Sequence, residues 1–314
     1  MNTLNLFLEK KKNIIYILLL IICLLPAVTP PYALFAGLIF ALSCGETFPK
    51  FNKKMSKVLL QASVVGLGFG MSLQQAYASG KDGMLFTIVS VAGTLVLGSF
   101  IAKRLKVDKK TGYLISAGTA ICGGSAIAAV GPVIKANDGQ MSVSLGTVFV
   151  LNAIALFLFP TLGHTLGLTQ HQFGLWSAIA IHDTSSVVGA ASAYGKEALQ
   201  VATTVKLTRA LWIIPVTFVT SFIFKSKSDK IYMPWFIFLF ILAMIINTLF
   251  PLPTDLTSGI VMVARKGLTL SLFFIGASLT KSVLRSVGVR PMIQGVLIWI
   301  TISVVSLSYI YFIV

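Results

Sequence analysis

His182-Asp183-Thr184-Ser185-Ser186 stands in the middle of an apolar run, "LWSAIAIHDTSSVVGAASAYG" (175–195). Ionisable side chains are costly inside hydrocarbon and persist there when paired or in use. An imidazole, a carboxylate and three hydroxyls in a row can hold a substrate or titrate with a coupling ion. The hydroxyls of Thr184, Ser185 and Ser186 can also take up N–H groups where a helix stops and restarts. One buried serine would serve an inter-helix hydrogen bond; five adjacent polar residues exceed that need.

Two further constellations point the same way. "SAGTAICGGSAIAAVGP" (116–132) sets Cys122, Gly123, Gly124 and Ser125 in a long apolar run with Pro132 beyond. A half-helix starting near Gly124 would aim bare N–H groups and a partial positive charge at the membrane centre, which suits an anion. "TTVKLTRALWIIPV" (203–216) places Lys206 and Arg209 three apart, on one helix face. If both point inward they supply an anion with a point charge and a guanidinium fork; the alternative is snorkelling to an interface. Arg265 and Lys266 carry the same argument more weakly. Asn152 reads as packing glue, the glycines of "GLGFG" (66–70) as a close-packing face, and Asn137 with Asp138 as an outer turn. His164 and His171 receive no role.

These residues need spanning helices to hold them. The 314 residues are 56% hydrophobic and 11% charged, far less charged than a soluble domain at about 25%. The net charge of +16 comes from short basic clusters between apolar runs, as in cytoplasmic loops, so no nucleic acid is expected as a partner. Three cysteines without a CxxC pair suggest neither a disulfide framework nor a zinc site. No HExxH, GxSxG or Walker pattern occurs, and no enzyme activity or cofactor is expected.

With about 20 apolar residues per crossing, eleven spans are predicted: 14–29, 31–46, 57–78, 83–102, 111–136, 141–163, 171–194, 198–224, 231–250, 258–280 and 292–314. An N-terminus inside and C-terminus outside places 18 of the 25 basic residues on the inner, cytoplasmic side. Sliding the chain on itself by about 141 to 150 residues aligns 32–46 with 173–187 and 57–62 with 205–210, which sets Gln61 opposite Arg209. The expected fold is an all-α integral membrane bundle with a 5+5 inverted repeat. Its domains are an extra N-terminal helix (1–30), a first repeat (31–165) and a second (166–314), an arrangement suited to alternating access.

At "SAGTAICGGSAIAAVGPVIKA", "AIAIHDTSSVVGAA" and "VKLTRALWIIP" the chain resembles a family of bacterial inner-membrane proteins labelled sulfate exporters, the YeiH-like proteins. The resemblance runs from about residue 31 to the end. By repeat plan that family looks like a relative of the NhaA-like, bile-acid-symporter and auxin-carrier group. It implies two discontinuous helices crossing at the midplane, here 111–136 and 258–280. The family's signatures fall on Ile121 through Ser125, on His182 with Asp183, and on Lys206 with Arg209. Some members carry Arg where this chain has Gln61, and an acid where it has Gly131.

The leading expectation is a secondary transporter exporting or exchanging a small anion of the sulfate, sulfite or sulfonate class. Cys122, Gly123, Gly124, Ser125, Thr184 and Ser185 would bind the substrate, Lys206, Arg209 and Gln61 would face its charge, and Asp183 with His182 would titrate or bind a coupling ion. The alternatives are a cation/proton antiporter centred on Asp183 and a non-transporting sensor or scaffold. The coupling ion (H+ or Na+) and a homodimeric state stay open; the lipid bilayer is the one expected partner besides the substrate.

Overall fold

The computed structural model describes residues 2–45, 47–71, 73–224, 235–250 and 252–313. The described residues form fifteen helices: α1 (Asn2–Leu24), α2 (Pro30–Cys44), α3 (Pro49–Gly68), α4 (Leu73–Arg104), α5 (Lys109–Ala120), α6 (Gly124–Val133), α7 (Asp138–Thr165), α8 (Gln170–Ala180), α9 (Thr184–Tyr194), α10 (Lys196–Ala210), α11 (Ile213–Ile223), α12 (Trp235–Leu249), α13 (Thr254–Ala277), α14 (Lys281–Ser286) and α15 (Val289–Ile313). Five of these segments are long and apolar enough to cross a membrane: Thr87–Arg104, Gly139–Thr165, Lys196–Ile223, Thr254–Ala277 and Val289–Phe312. Lys225, Lys227 and Lys230, counted above among the inner-loop cations, lie outside the described residues.

The chain divides into two compact units, Met1–Met71 with Leu239–Ser282, and Ser72–Phe238 with Val283–Val314. Each unit takes segments from both predicted repeats.

In the first unit α13 packs against α2 and α3 backbone to backbone. A Cβ at Gly276 would strike the Leu34 carbonyl and lie 2.9 Å from the Leu38 nitrogen, and one at Gly37 would strike the Phe273 carbonyl. Small residues at such positions let spanning helices approach closely. The same holds for "GLGFG": a Cβ at Gly66 would lie 2.9 Å from the Ala264 Cβ, and one at Gly68 2.8 Å from the Phe240 carbonyl oxygen. The predicted crossing element 258–280 is therefore corrected. It lies in one uninterrupted helix, α13, whose glycines admit neighbours instead of breaking the chain. Lys266 donates to the carbonyls of Leu25 and Val28, holding the end of α1.

The second unit contains the interruptions, and both turn back. α5 runs for 12 residues, Ile121-Cys122-Gly123 make the turn, and α6 returns for 10. Had the segment continued straight, its ends would lie about 37 Å apart. Instead the Lys110 Nζ donates to the Lys135 carbonyl at 2.7 Å. The Gln140 amide donates to Asp108 Oδ1 at 2.8 Å, and Gly118 on α5 faces Ile127 on α6. The second interruption repeats the plan. α8 and α9, 11 residues each, are joined by Ile181-His182-Asp183, and Tyr194 at the end of α9 donates to the Leu168 carbonyl at 2.6 Å before α8 begins. The Phe173 and Tyr194 rings stack at 3.8 Å.

Two of the eleven predicted crossings, 111–136 and 171–194, are thus helical hairpins that enter and leave at the same end. Their backbone turns are shielded, as irregular backbone at membrane depth must be: Thr111–Ala120, Phe173–Ala180 and Thr184–Ala191 are buried throughout. One helix links them. α7 starts beside the mouth of the first hairpin, through an Asn137–Gln140 capping box, and is about 42 Å long. It ends beside the mouth of the second, where His164 stacks on Tyr194 at 4.2 Å. The hairpins therefore enter from opposite ends of the unit. Asn137, read above as part of an outer turn, sits with Lys135 at the same end as Lys109 and Lys110. α10 and α11 run back to that end: Thr220 meets the Tyr113 hydroxyl at 2.6 Å. Pro215, which has no N–H to give Leu211, accounts for the turn at Leu211-Trp212 between them.

Candidate functional site

The two hairpin tips meet. Gly123 adopts φ +64°, and the position of a Cβ there lies 3.3 Å from both Cα and Cβ of Asp183. Glycine is required twice over, by the left-handed backbone and by the close approach. The predicted breaks at Gly123-Gly124 and at His182-Asp183 are both present, and they form one site.

Each tip exposes a helix C-terminus and a helix N-terminus at mid-depth, with unpaired carbonyls and N–H groups respectively. The carbonyls are taken by the two cations of α10. Arg209 donates from Nε to the Ala120 carbonyl at 2.7 Å and from Nη1 to the Ile179 carbonyl at 2.8 Å, so one guanidinium fastens the first tip to the second. Lys206 donates to the carbonyls of Ile181 at 2.7 Å and Ala178 at 3.3 Å. Both side chains are 0% exposed, which overturns the snorkelling alternative. A positive charge at a helix C-terminus also opposes the partial negative charge there.

The two N-termini are treated differently. Asp183 is the N-cap of α9 and accepts from the N–H groups of Ser185 at 3.0 Å and Ser186 at 3.3 Å, and from the Ser185 hydroxyl. The Ser185 hydroxyl, expected to donate to substrate, is spent on this cap. Asn152, halfway along α7, accepts the backbone N–H groups of His182 at 3.1 Å and Asp183 at 3.3 Å. It was read above as packing glue; it holds the second tip. A lone amide in the middle of a long apolar helix, beside an interrupted one, was the available signal. At the first tip, Gly123, which has no side chain to offer, is the N-cap of α6; the Cys122 sulfur meets the Ala126 N–H, and the first backbone bond runs from the Ile127 N–H to the Gly123 carbonyl. Gly124 and Ser125 are half-buried, Cys122 is buried and Ala128 is exposed.

Buried polar atoms without a partner gather here as well: Arg209 Nη2, Asn152 Nδ2, both ring nitrogens of His182, and the Thr119 hydroxyl. Buried polar groups are nearly always satisfied, so orphans mark strain or a missing ligand. The guanidinium and amide nitrogens can only donate. Gln61 lies half-buried on α3, in the first unit. Gly131 sits on α6 against Met141, whose sulfur a Cβ would strike.

Residues 21–295 match the family described as conserved hypothetical protein 698. The chain is 68% identical to a UPF0324 membrane protein of Bacteroides thetaiotaomicron over 91% of this chain and 87% of that one. It is 62% identical to one of Porphyromonas gingivalis over 90% and 87%, and 49% identical to one of Vibrio vulnificus over 95% and 98%. No solved structure matches. The family match and these relatives agree with the YeiH-like resemblance: the chain belongs to the conserved hypothetical protein 698 family, the UPF0324 membrane proteins.

Proposed function

We propose that the protein is a secondary transporter that carries a small oxyanion of the sulfate, sulfite or sulfonate class across the bacterial inner membrane by alternating access. The observation that carries this reading is the cluster of buried, unpartnered donors at the meeting point of two hairpins entered from opposite ends. Arg209 Nη2 and Asn152 Nδ2 can only donate, and beside them the N-cap of α6 is a glycine with no side-chain acceptor to offer. A ligand that completes them must bring acceptors and negative charge. Hairpins reaching the middle from both sides give the site a gate toward each, as alternating access requires.

A cation antiporter centred on Asp183 is less well supported, because that carboxylate is already occupied as the cap of α9. Reconstitution into proteoliposomes tests the proposal. Gradient-driven uptake of labelled sulfate, sulfite or ethanesulfonate is expected, with loss of uptake in Asn152→Ala. Folded protein that moves none of these anions would refute it.

A further inference from the structure

We infer that the ligand held between the tips is a singly charged oxyanion, of the sulfonate or hydrogen-sulfite kind, and that a dianion such as sulfate is disfavoured. The inference rests on the anion reading above and narrows it.

Three side chains set the charge of the cluster. Lys206 donates to two carbonyls and Arg209 to two more, and each is counted as one positive charge. Asp183 accepts from two N–H groups and a hydroxyl, all at Oδ2, and is counted as one negative charge. His182 meets no carboxylate, and neither ring nitrogen has an acceptor, so it is counted as neutral. The four half-helix ends cancel, two partial negatives against two partial positives of about half a charge each. Among the residues whose side chains are described, no further ionised group lies in the middle of the neighbouring helices: the cations of α4 stand in its last turn, Lys103 and Arg104, and that of α15, Arg290, near its start.

The buried cluster therefore has one positive charge in excess. A monoanion neutralises it. A dianion leaves one negative charge uncompensated where the dielectric is low, and unmatched charge there is strongly disfavoured. The geometry agrees: of the three guanidinium nitrogens of Arg209, Nε and Nη1 each reach a tip carbonyl and Nη2 alone has no partner.

Titration calorimetry on the full chain in lipid nanodiscs, with sodium ethanesulfonate, nitrate and sulfate at constant ionic strength, tests this. Wild type is expected to bind at least one of the two monoanions more tightly than sulfate, by on the order of 100-fold. Asp183→Asn keeps the cap acceptor while adding one positive charge, and is expected to move the ratio toward sulfate by roughly tenfold or more. Wild-type protein that binds sulfate as tightly as both monoanions would overturn the inference and leave the anion reading standing. An unchanged ratio in a folded Asp183→Asn protein would also overturn it. Folded wild type that binds none of the three would overturn both.

Discussion

The two hairpin tips are built alike and finished differently. Each turns in three residues, each presents its C-terminal carbonyls to Arg209, and each lies against the other at Gly123 and Asp183. The second tip then supplies its own negative charge through Asp183 and is held by Asn152. The first has a glycine where the second has a carboxylate, so its N-cap residue supplies no side-chain acceptor and no charge. The second tip is internally neutralised and anchored to α7. The first is the half that gains most from a bound anion, and so the half we expect to order when the anion arrives.

The largest way to break this comparison is to remove what the tips share. Arg209→Ala strips both tips of their common clip and orphans two buried carbonyls. A stability loss of about 3–5 kcal/mol is expected from breaking so buried a charged contact, read as a fall in melting temperature with abolished uptake. Arg209→Lys, which keeps the charge and cannot bridge two carbonyls as a fork does, should recover part of the stability and little of the transport.

Gly123→Ala comes next. It forces an L side chain into the left-handed backbone and toward Asp183, at a cost of about 1–3 kcal/mol. Gly93→Ala on α4, where nothing lies within 4 Å of the added carbon, should leave the melting temperature and uptake unchanged and serves as the control.

Asp183→Ala should cost less, about 1 kcal/mol for the lost cap, and Asp183→Asn less again, because its amide oxygen still accepts. Equal losses for the two would show that Asp183 acts through charge and not as a cap.

The smallest expected difference lies at the hairpin mouths. Asp108 caps the first hairpin and Thr169 the second, and only the first cap titrates. Burial opposes ionisation of Asp108, but hydrogen bonds from the Thr111 N–H and hydroxyl and from Gln140 outweigh it and hold the carboxyl below its ordinary 3.8. A depressed carboxylate adds stability above its unfolded value and loses it as pH falls through the folded one. Below about pH 4 the first mouth should loosen before the second, seen as faster amide exchange at 109–112 than at 170–173. Asp108→Asn should flatten that dependence.

Much of this site could be read from residue types. Gly123-Gly124 and His182-Asp183 were legible as breaks because small or cap-forming residues interrupt runs that are otherwise apolar, and Lys206 with Arg209 because cations are rare at that depth. The direction taken after each break was not legible. A run of 25 apolar residues has the same hydropathy whether it crosses or doubles back, and what decides is Lys110 reaching Lys135, and Tyr194 reaching Leu168. The 258–280 segment was misread because a glycine in a break and a glycine under a neighbour's backbone are the same letter. The acceptors of Arg209 are backbone carbonyls, which carry no sequence signal at all.

Everything above depends on the first hairpin turning back. Single cysteines at Lys109, Lys135 and Lys196, all exposed, placed in a chain lacking Cys23, Cys44 and Cys122, can be labelled with an impermeant maleimide in membrane vesicles of known orientation. The account predicts that Lys109→Cys and Lys135→Cys react from one face and Lys196→Cys from the other. Labelling of 109 and 135 from opposite faces would contradict it.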